Sequence, residues 1–235
     1  MSNNYFQFKQ FLVKQDKSAM RVSTDACIQG AWTPIEPVVK HVLDIGTGTG
    51  LLSLMLAQRN DSIIIDAIEL DEHAADEAKE NVAASPFHDR INITQADIRE
   101  VTLDKQYDLI ICNPPFFRDS LLGPTTNRNT ARHALSFSYA DMFGVLEKFL
   151  ANGGYASILL PPVEHEQWEK LLQTNGWNVF HRLHVRPRSS NDVNRVVGLC
   201  SPNKIGNTIE EVVIYEDKDY TQQFSALLRP YYLKL

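Results

Sequence analysis

The chain has 235 residues, 43% of them hydrophobic, and a formal net charge of −6 at pH 7. That much apolar material is enough for a full core and excludes a globally disordered chain, and the length suits one large α/β domain or two small ones. No run approaches the roughly 18 apolar residues of a membrane span, and MSNNYFQFKQ shows no apolar signal core, so a cytoplasmic protein is expected. The cysteines Cys27, Cys112 and Cys200 are odd in number and far apart, and the histidines lack ligand spacing, so neither a disulfide framework nor a metal site is expected.

Residues 1–40 form an irregular lead-in. FQFKQFLVKQ alternates enough for a short strand or hairpin, and TDACIQGAW offers Thr24 and Asp25 as caps before a short helix. From residue 41 the pattern becomes regular. HVLDI (41–45) predicts a strand, LLSLMLAQ (51–58) a helix and SIIIDAIEL (62–70) a strand. DEHAADEAKENVAA (71–84) predicts a helix capped by Asp71, with Ala74, Ala78 and Val82 on one face. INITQA (91–96) and YDLIICN (107–113) predict two more strands.

SYADMFGVLEKFLANGG sets Met142, Val145, Leu146, Phe149 and Leu150 at helical spacing and is expected to stop at Gly153-Gly154. A strand, YASILL (155–160), and a helix, HEQWEKLLQTNG, ended by Gly176, follow. WNVFHRLHV, RVVGLCS and EEVVIY are β-rich with no long helix between them, which predicts an antiparallel end. Strands alternating with helices imply right-handed crossovers and a parallel sheet, hence the α/β class. Such sheets bind ligands outside the carboxyl ends of their strands, and every motif below falls at such an end.

LDIGTGTGLL puts Gly46, Gly48 and Gly50 between a strand and a helix. Glycines let the backbone turn tightly and approach a ligand closely. The dinucleotide fingerprint G-x-G-x-x-G would need its third glycine where Leu51 stands, and Asp44 would sit poorly beside a pyrophosphate. A carboxylate there suits a cationic ammonium. That points to S-adenosylmethionine (SAM), whose methionine end carries an ammonium. A glycine-rich turn of purely structural use is the competing reading. Glu69 ends the second regular strand, where a carboxylate can accept both ribose hydroxyls. Asp97, after the third, could accept from the adenine 6-amino group; alone, it would pass for a loop carboxylate.

NPPFF (113–117) closes the fourth strand. Pro114 and Pro115 lack N–H donors and have fixed φ, so they stiffen the loop and leave carbonyl oxygens for other partners. An exocyclic amino group, on adenine or on an amide, is a poor nucleophile because its lone pair is delocalised. Two acceptors, the Asn113 side-chain oxygen and the Pro114 carbonyl, could take its two hydrogens and aim the lone pair at a methyl group. Those bonds strengthen as positive charge develops. Phe116 could stack on a planar substrate. A strand-ending Pro-Pro turn accounts for the prolines but not for Asn113 and an aromatic at this place in the order.

With LDIGTGTG, AIELD, QADI and NPPF in this order over about residues 41–117, the chain resembles the class I SAM-dependent N-methyltransferases with an Asn/Asp-Pro-Pro-aromatic motif. That resemblance implies a Rossmann-like, seven-stranded, mostly parallel sheet ending in an antiparallel hairpin, with helices on both faces. The lead-in FKQFLVKQDKSAMRVSTDACIQGAW, NPPF rather than NPPY, and HVRPRSSNDVNRVV resemble the bacterial tRNA1(Val) adenosine N(6)-methyltransferases, which modify the adenosine 3′ of the anticodon. It implies SAM as cofactor and a tRNA substrate, a lead-in of residues 1–40 packed on the cofactor site, and a methyltransferase domain over 41–235. The site residues it implies are Asp44, Gly46, Gly48, Glu69 and Asp97 for the cofactor, and Asn113, Pro114 and Phe116 for catalysis. Thr24 and Asp25 would border the methionine moiety, or else simply cap a helix.

The acidic total counts against a nucleic-acid partner, but patches override a total. Lys9, Lys14, Lys17 and Arg21 cluster in the lead-in; Arg118, Arg128 and Arg132 follow NPPFF; Arg182, Arg186, Arg188 and Arg195 lie near the C-terminus. Such groups can grip phosphates while a flipped base enters the pocket, and the long stretch after NPPFF is expected to clamp the substrate. Ordinary solvated charge is the alternative for any single one. A monomer is expected, with no metal and no membrane partner. Three rivals remain: a protein glutamine N-methyltransferase, disfavoured by NPPF and the short lead-in; a non-catalytic SAM-binding regulator, disfavoured by intact Asn113, Pro114 and Phe116; and a nicotinamide oxidoreductase, disfavoured by Leu51.

Overall fold

The computed structural model describes residues 4–18, 21–114 and 137–235. The lead-in hairpin forms as expected, β1 (Tyr5–Gln7) antiparallel to β2 (Leu12–Lys14). Next come α1 (Thr24–Trp32), β3 (His41–Ile45), α2 (Leu51–Arg59), β4 (Ile64–Glu69), α3 (Glu72–Ala83), β5 (Ile91–Gln95) and β6 (Tyr107–Cys112). The C-terminal half holds α4 (Tyr139–Phe149), β7 (Leu150–Leu160), α5 (Pro162–Thr174), β8 (Asn178–Arg188), β9 (Arg195–Ser201), β10 (Thr208–Glu216), β11 (Asp219–Tyr220) and α6 (Gln222–Leu228).

Nine strands form one sheet in the order β11-β10-β8-β9-β7-β6-β3-β4-β5. The neighbours β7, β6, β3, β4 and β5 run parallel, and β9 lies antiparallel between β7 and β8. The expected seven-stranded arrangement, β3 to β9, is therefore present, with two further strands at one edge. The tail is antiparallel between β8 and β9, but β10 pairs with β8 in parallel. This corrects the antiparallel expectation for EEVVIY: six residues, 202–207, separate β9 from β10, and the chain passes over β8 to its far edge.

Apolar side chains on both faces explain why the central strands read as unbroken hydrophobic runs. Along β6, Leu109 and Ile111 pack into the layer built with α1, α2 and α6, while Ile110 joins the opposite layer with α4 and α5. Phe8, Phe11 and Val13 of the lead-in are buried in the first layer, so the hairpin shares the domain's core.

Local signals set the element ends. Asp71 caps α3, its Oδ1 accepting from Ala74 N–H at 2.8 Å, and Ala74, Ala78 and Val82 are buried. Gly176 ends the α5 region with φ +77. Several ends differ from expectation. The cap of α1 is Ser23, which accepts from Ala26 N–H, and not Thr24 or Asp25. Helix α4 ends at Phe149, and β7 begins at Leu150 instead of after the glycine pair. Gly153, at φ +82, serves an irregularity within β7, where the register against β6 jumps between Tyr107 and Leu109.

Candidate active site

The carboxyl ends of β6, β3, β4 and β5 are neighbours, and the glycine loop, Glu69, Asp97 and Asn113–Pro114 all lie at that edge. Gly46, Gly48 and Gly50 have φ of +67, +57 and +83, backbone that a side chain would strain. Gly46 and Thr47 donate their N–H groups to the Ile68 carbonyl, which ties the loop to the end of β4.

Asp44 is fully buried in β3. Its Oδ2 accepts from Thr47 Oγ1 at 2.6 Å and Ser53 Oγ at 2.7 Å. Its Oδ1 is buried with no partner among the described residues. Burial pushes the carboxyl up to about 6, against the lowering effect of the Thr47 and Ser53 hydrogen bonds. An orphaned buried acceptor costs free energy until a donor reaches it, and the positive ammonium of SAM is a fitting one. One oxygen thus anchors the loop, and the other is left for a ligand.

Glu69 accepts from Gly48 N–H at 2.8 Å through Oε2 and from Asp71 N–H at 3.0 Å through Oε1. Each oxygen keeps a lone pair, so the carboxylate can hold the loop and still accept ribose hydroxyls. Asp97 is engaged by Arg99, with Nε donating to Oδ1 at 2.9 Å and Nη2 to Oδ2 at 2.5 Å. That hydrogen-bonded pairing holds the Asp97 carboxyl below its ordinary value. An adenine amino group would have to share Asp97 with the guanidinium.

Asn113 is partly buried and Pro114 buried, directly after β6. Phe116 lies outside the described residues, as do Arg118, Arg128 and Arg132. Gln29 of α1 went unnoticed in the sequence. It is fully buried, and its Nε2 donates to the Cys112 carbonyl and to the Ser157 carbonyl, each at 3.1 Å. It therefore bridges the end of β6 to the neighbouring β7 at the peptide that leads into Asn113. A lone glutamine in a helical run carries no pattern that could have flagged it. Thr24 hydrogen-bonds Tyr232, and Asp25 pairs with Arg195 Nε at 3.0 Å, so both side chains engage the C-terminal half.

The basic residues are mostly tied. Lys14 and Lys17 pair with Glu80 at 3.2 and 3.0 Å. Arg182 is buried, held by Glu169 and by Asn207 Oδ1, which removes it from the phosphate-gripping set. Arg186 pairs with Glu211 at 2.7 Å, and Arg188 donates to the Asp217 carbonyl. Both stand near the carboxyl end of β8, which runs parallel to β7 and so ends at the same edge as the site. Among the described residues, no cluster of three or more His, Cys, Asp or Glu could hold a metal, and no helix is long and apolar enough to cross a membrane.

The methyltransferase small domain model matches residues 33–141. A predicted O-methyltransferase from Agrobacterium tumefaciens has a similar fold, with TM-score 0.68 at 16% identity over 88% of this chain and 96% of that one. A glycopeptide N-methyltransferase solved with SAM superposes with TM-score 0.56 at 13% identity, over 80% of this chain and 96% of that one. The fold is thus that of a class I methyltransferase. Among curated proteins, the chain is 39% identical to a tRNA1(Val) (adenine(37)-N6)-methyltransferase of Dyadobacter fermentans, over 99% of this chain and 98% of that protein. It is 38% identical to the one of Parabacteroides distasonis over the whole of both chains, and 37% identical to that of Escherichia coli O157:H7 over 99% and 96%. Identity of that order along the whole length, on a sheet whose strand ends carry the motifs in the expected order, places this chain in the family of tRNA1(Val) (adenine(37)-N6)-methyltransferases.

Proposed function

We propose that this protein is a SAM-dependent methyltransferase that methylates the exocyclic N6 of adenosine 37, just 3′ of the anticodon, in tRNA1(Val). The observation that carries this reading is the adjacency of β6 and β3: Asn113–Pro114 ends one strand, and the glycine loop with Asp44 ends its neighbour. The names of the full-length relatives supply the substrate.

SAM, when bound, supplies an electrophilic methyl group on a positively charged sulfur. Asp44 Oδ1 accepts from the ammonium of the cofactor, the backbone at Gly46 and Gly48 lets it approach, and Glu69 accepts from its ribose. Asp97 accepts from its adenine while remaining paired with Arg99. The Asn113 side-chain oxygen and the Pro114 carbonyl accept the two hydrogens of the target amine, which turns the lone pair out of the π system. Phe116, carried on the motif alone, stacks on the base. Arg186 and Arg188, at the same edge, meet phosphates by exchanging their present acceptors for them. A tRNA substrate fits a cytoplasmic enzyme.

The test is incubation with labelled SAM and total tRNA, then nuclease digestion and mass spectrometry. The expected product is N6-methyladenosine at position 37 of the valine tRNA. Label on another base, or on a protein glutamine and not on RNA, overturns the assignment.

A further inference from the structure

Two α3 side chains with no part in the chemistry are almost fully buried, Glu77 and Asn81, each 1% exposed. Their partners are backbone groups 32 to 67 residues away in the chain. Glu77 Oε1 accepts from Asp16 N–H at 2.6 Å and Lys17 N–H at 3.0 Å, and Oε2 accepts from Ser18 N–H at 2.9 Å. Three consecutive N–H groups thus converge on one carboxylate. Asn81 Oδ1 accepts from Lys14 N–H at 2.8 Å, and its Nδ2 donates to the Lys14 carbonyl at 3.0 Å. The same Nδ2 donates to the Thr49 carbonyl, inside the glycine loop, at 2.9 Å.

The strap of residues 14–18 therefore reaches the glycine loop. A Cβ built on Gly48 would stand 3.6 Å from Ser18 Oγ. Gly48 is also the residue whose N–H Glu69 holds. From beneath, a Cβ on Gly50 would meet Ala78 and Val82 of the same helix at 3.7 Å. Helix α3 thus supports the loop with its apolar face and holds the strap with its polar side chains. A buried carboxylate is costly unless hydrogen bonds compensate it, and here three backbone donors do so.

We propose that Glu77 and Asn81 are positioning residues for the cofactor site, clamping residues 14–18 across the glycine loop so that strap and loop meet SAM as one preformed surface; the proposal rests on the glycine loop being the seat of the cofactor. The clamp spends conformational entropy at folding, so SAM binding need not order the strap. Glu80 adds ion pairs to Lys14 and Lys17 on the outside, where solvent screens them.

The experiment compares wild type, Glu77→Ala, Glu77→Gln and Asp44→Ala by calorimetry with SAM, steady-state kinetics on tRNA and amide hydrogen exchange. Glu77→Ala is expected to weaken SAM binding about 10- to 100-fold, with KM for SAM rising in parallel. At saturating SAM, kcat should stay within about threefold, and KM for tRNA should not move. The Asp16, Lys17 and Ser18 amides, slow to exchange in wild type, should exchange fast in the variant. Glu77→Gln keeps the shape and one acceptor oxygen, so its affinity should fall between the two; if Glu77→Ala does not fold, Glu77→Gln decides on the same readouts. Free exchange of the strap amides with wild-type SAM affinity would overturn the clamp, as would a fall in kcat as large as the loss of affinity. If Asp44→Ala loses SAM while Glu77→Ala keeps it, only the clamp falls; if neither loses SAM, the seat of the cofactor is elsewhere and both readings fall.

Discussion

The two halves of the sheet's carboxyl edge hold their charged groups differently. At the end of β3 and β4, Asp44 and Glu69 are fastened to the glycine loop by short bonds from hydroxyls and backbone N–H groups. At the end of β8, Arg186 and Arg188 are held by a partly exposed carboxylate, by backbone carbonyls and by the face of Tyr215. The buried hydroxyl bonds to Asp44 and the part-buried Gly48 N–H bond to Glu69 cannot be exchanged without disturbing the loop, so the first region is preorganised. Surface ion pairs contribute little and exchange readily with phosphate or solvent, so the second can hand its arginines to a large, mobile ligand. On the proposed function, these two kinds of holding suit a rigid cofactor site and an adaptable RNA contact.

Loss of the acceptor at the end of β6 should have the largest effect. Asn113→Ala should lower turnover on the order of 100-fold or more with SAM affinity nearly unchanged, because its acceptor matters most as charge develops. Asn113→Asp keeps an acceptor of similar shape and should retain part of the activity. Single-turnover methylation of tRNA measures both, and near wild-type rates in Asn113→Ala would reduce NPPFF to a strand-ending turn.

The next effect is at Asp44. If its free oxygen meets the ammonium, SAM affinity should rise between pH 5 and 7 as the carboxyl ionises around pH 6, and Asp44→Asn should be weak and flat with pH. Stability should move the opposite way. Burial raises the folded value to about 6 from 3.8, so the contribution of the neutral carboxyl is fully present below 3.8 and is lost as pH rises through 6. Asp44→Asn, neutral throughout, should therefore gain stability relative to wild type toward pH 7, by up to roughly 3 kcal/mol. Calorimetric titration and thermal denaturation across that range measure the pair; parallel changes in affinity and stability would remove the ligand role.

Smaller effects belong to the yielding region. Arg186→Ala with Arg188→Ala should lower tRNA affinity by about tenfold or less and reduce the slope of log affinity against log salt by about 1 to 2, leaving SAM affinity alone. An unchanged slope would leave both as solvated charge. Smallest of all, Glu80→Ala should not measurably shift the thermal midpoint, because the Lys14 and Lys17 pairs are half exposed. A large shift would mean that the outer ion pairs, and not Glu77 and Asn81, hold the strap.

Local signals carried far. The β3 strand HVLDI was bounded correctly by apolar pattern, and α3 by the Asp71 cap and its buried alanines, because these depend on neighbours within a few residues. The order of acidic and amide groups at strand ends was legible for the same reason: each sits within two residues of the end of a recognisable strand. Glycine misled at one place, since Gly153 marks a positive φ whether it ends a helix or bends a strand.

The amino-acid sequence by itself determined the α/β class, the alternation of elements and the placement of Asp44, Glu69, Asp97 and Asn113 at strand ends. Tertiary structure alone decided that β10 pairs in parallel with β8, that Gln29 secures the peptide before Asn113, and that Glu77 and Asn81 hold the strap. The physical reason is distance along the chain. A bond between Gln29 and Cys112, or between Glu77 and Asp16, spans 83 or 61 residues and follows no period of 2 or 3.6. Such a contact exists only once the packed core has brought its two ends together.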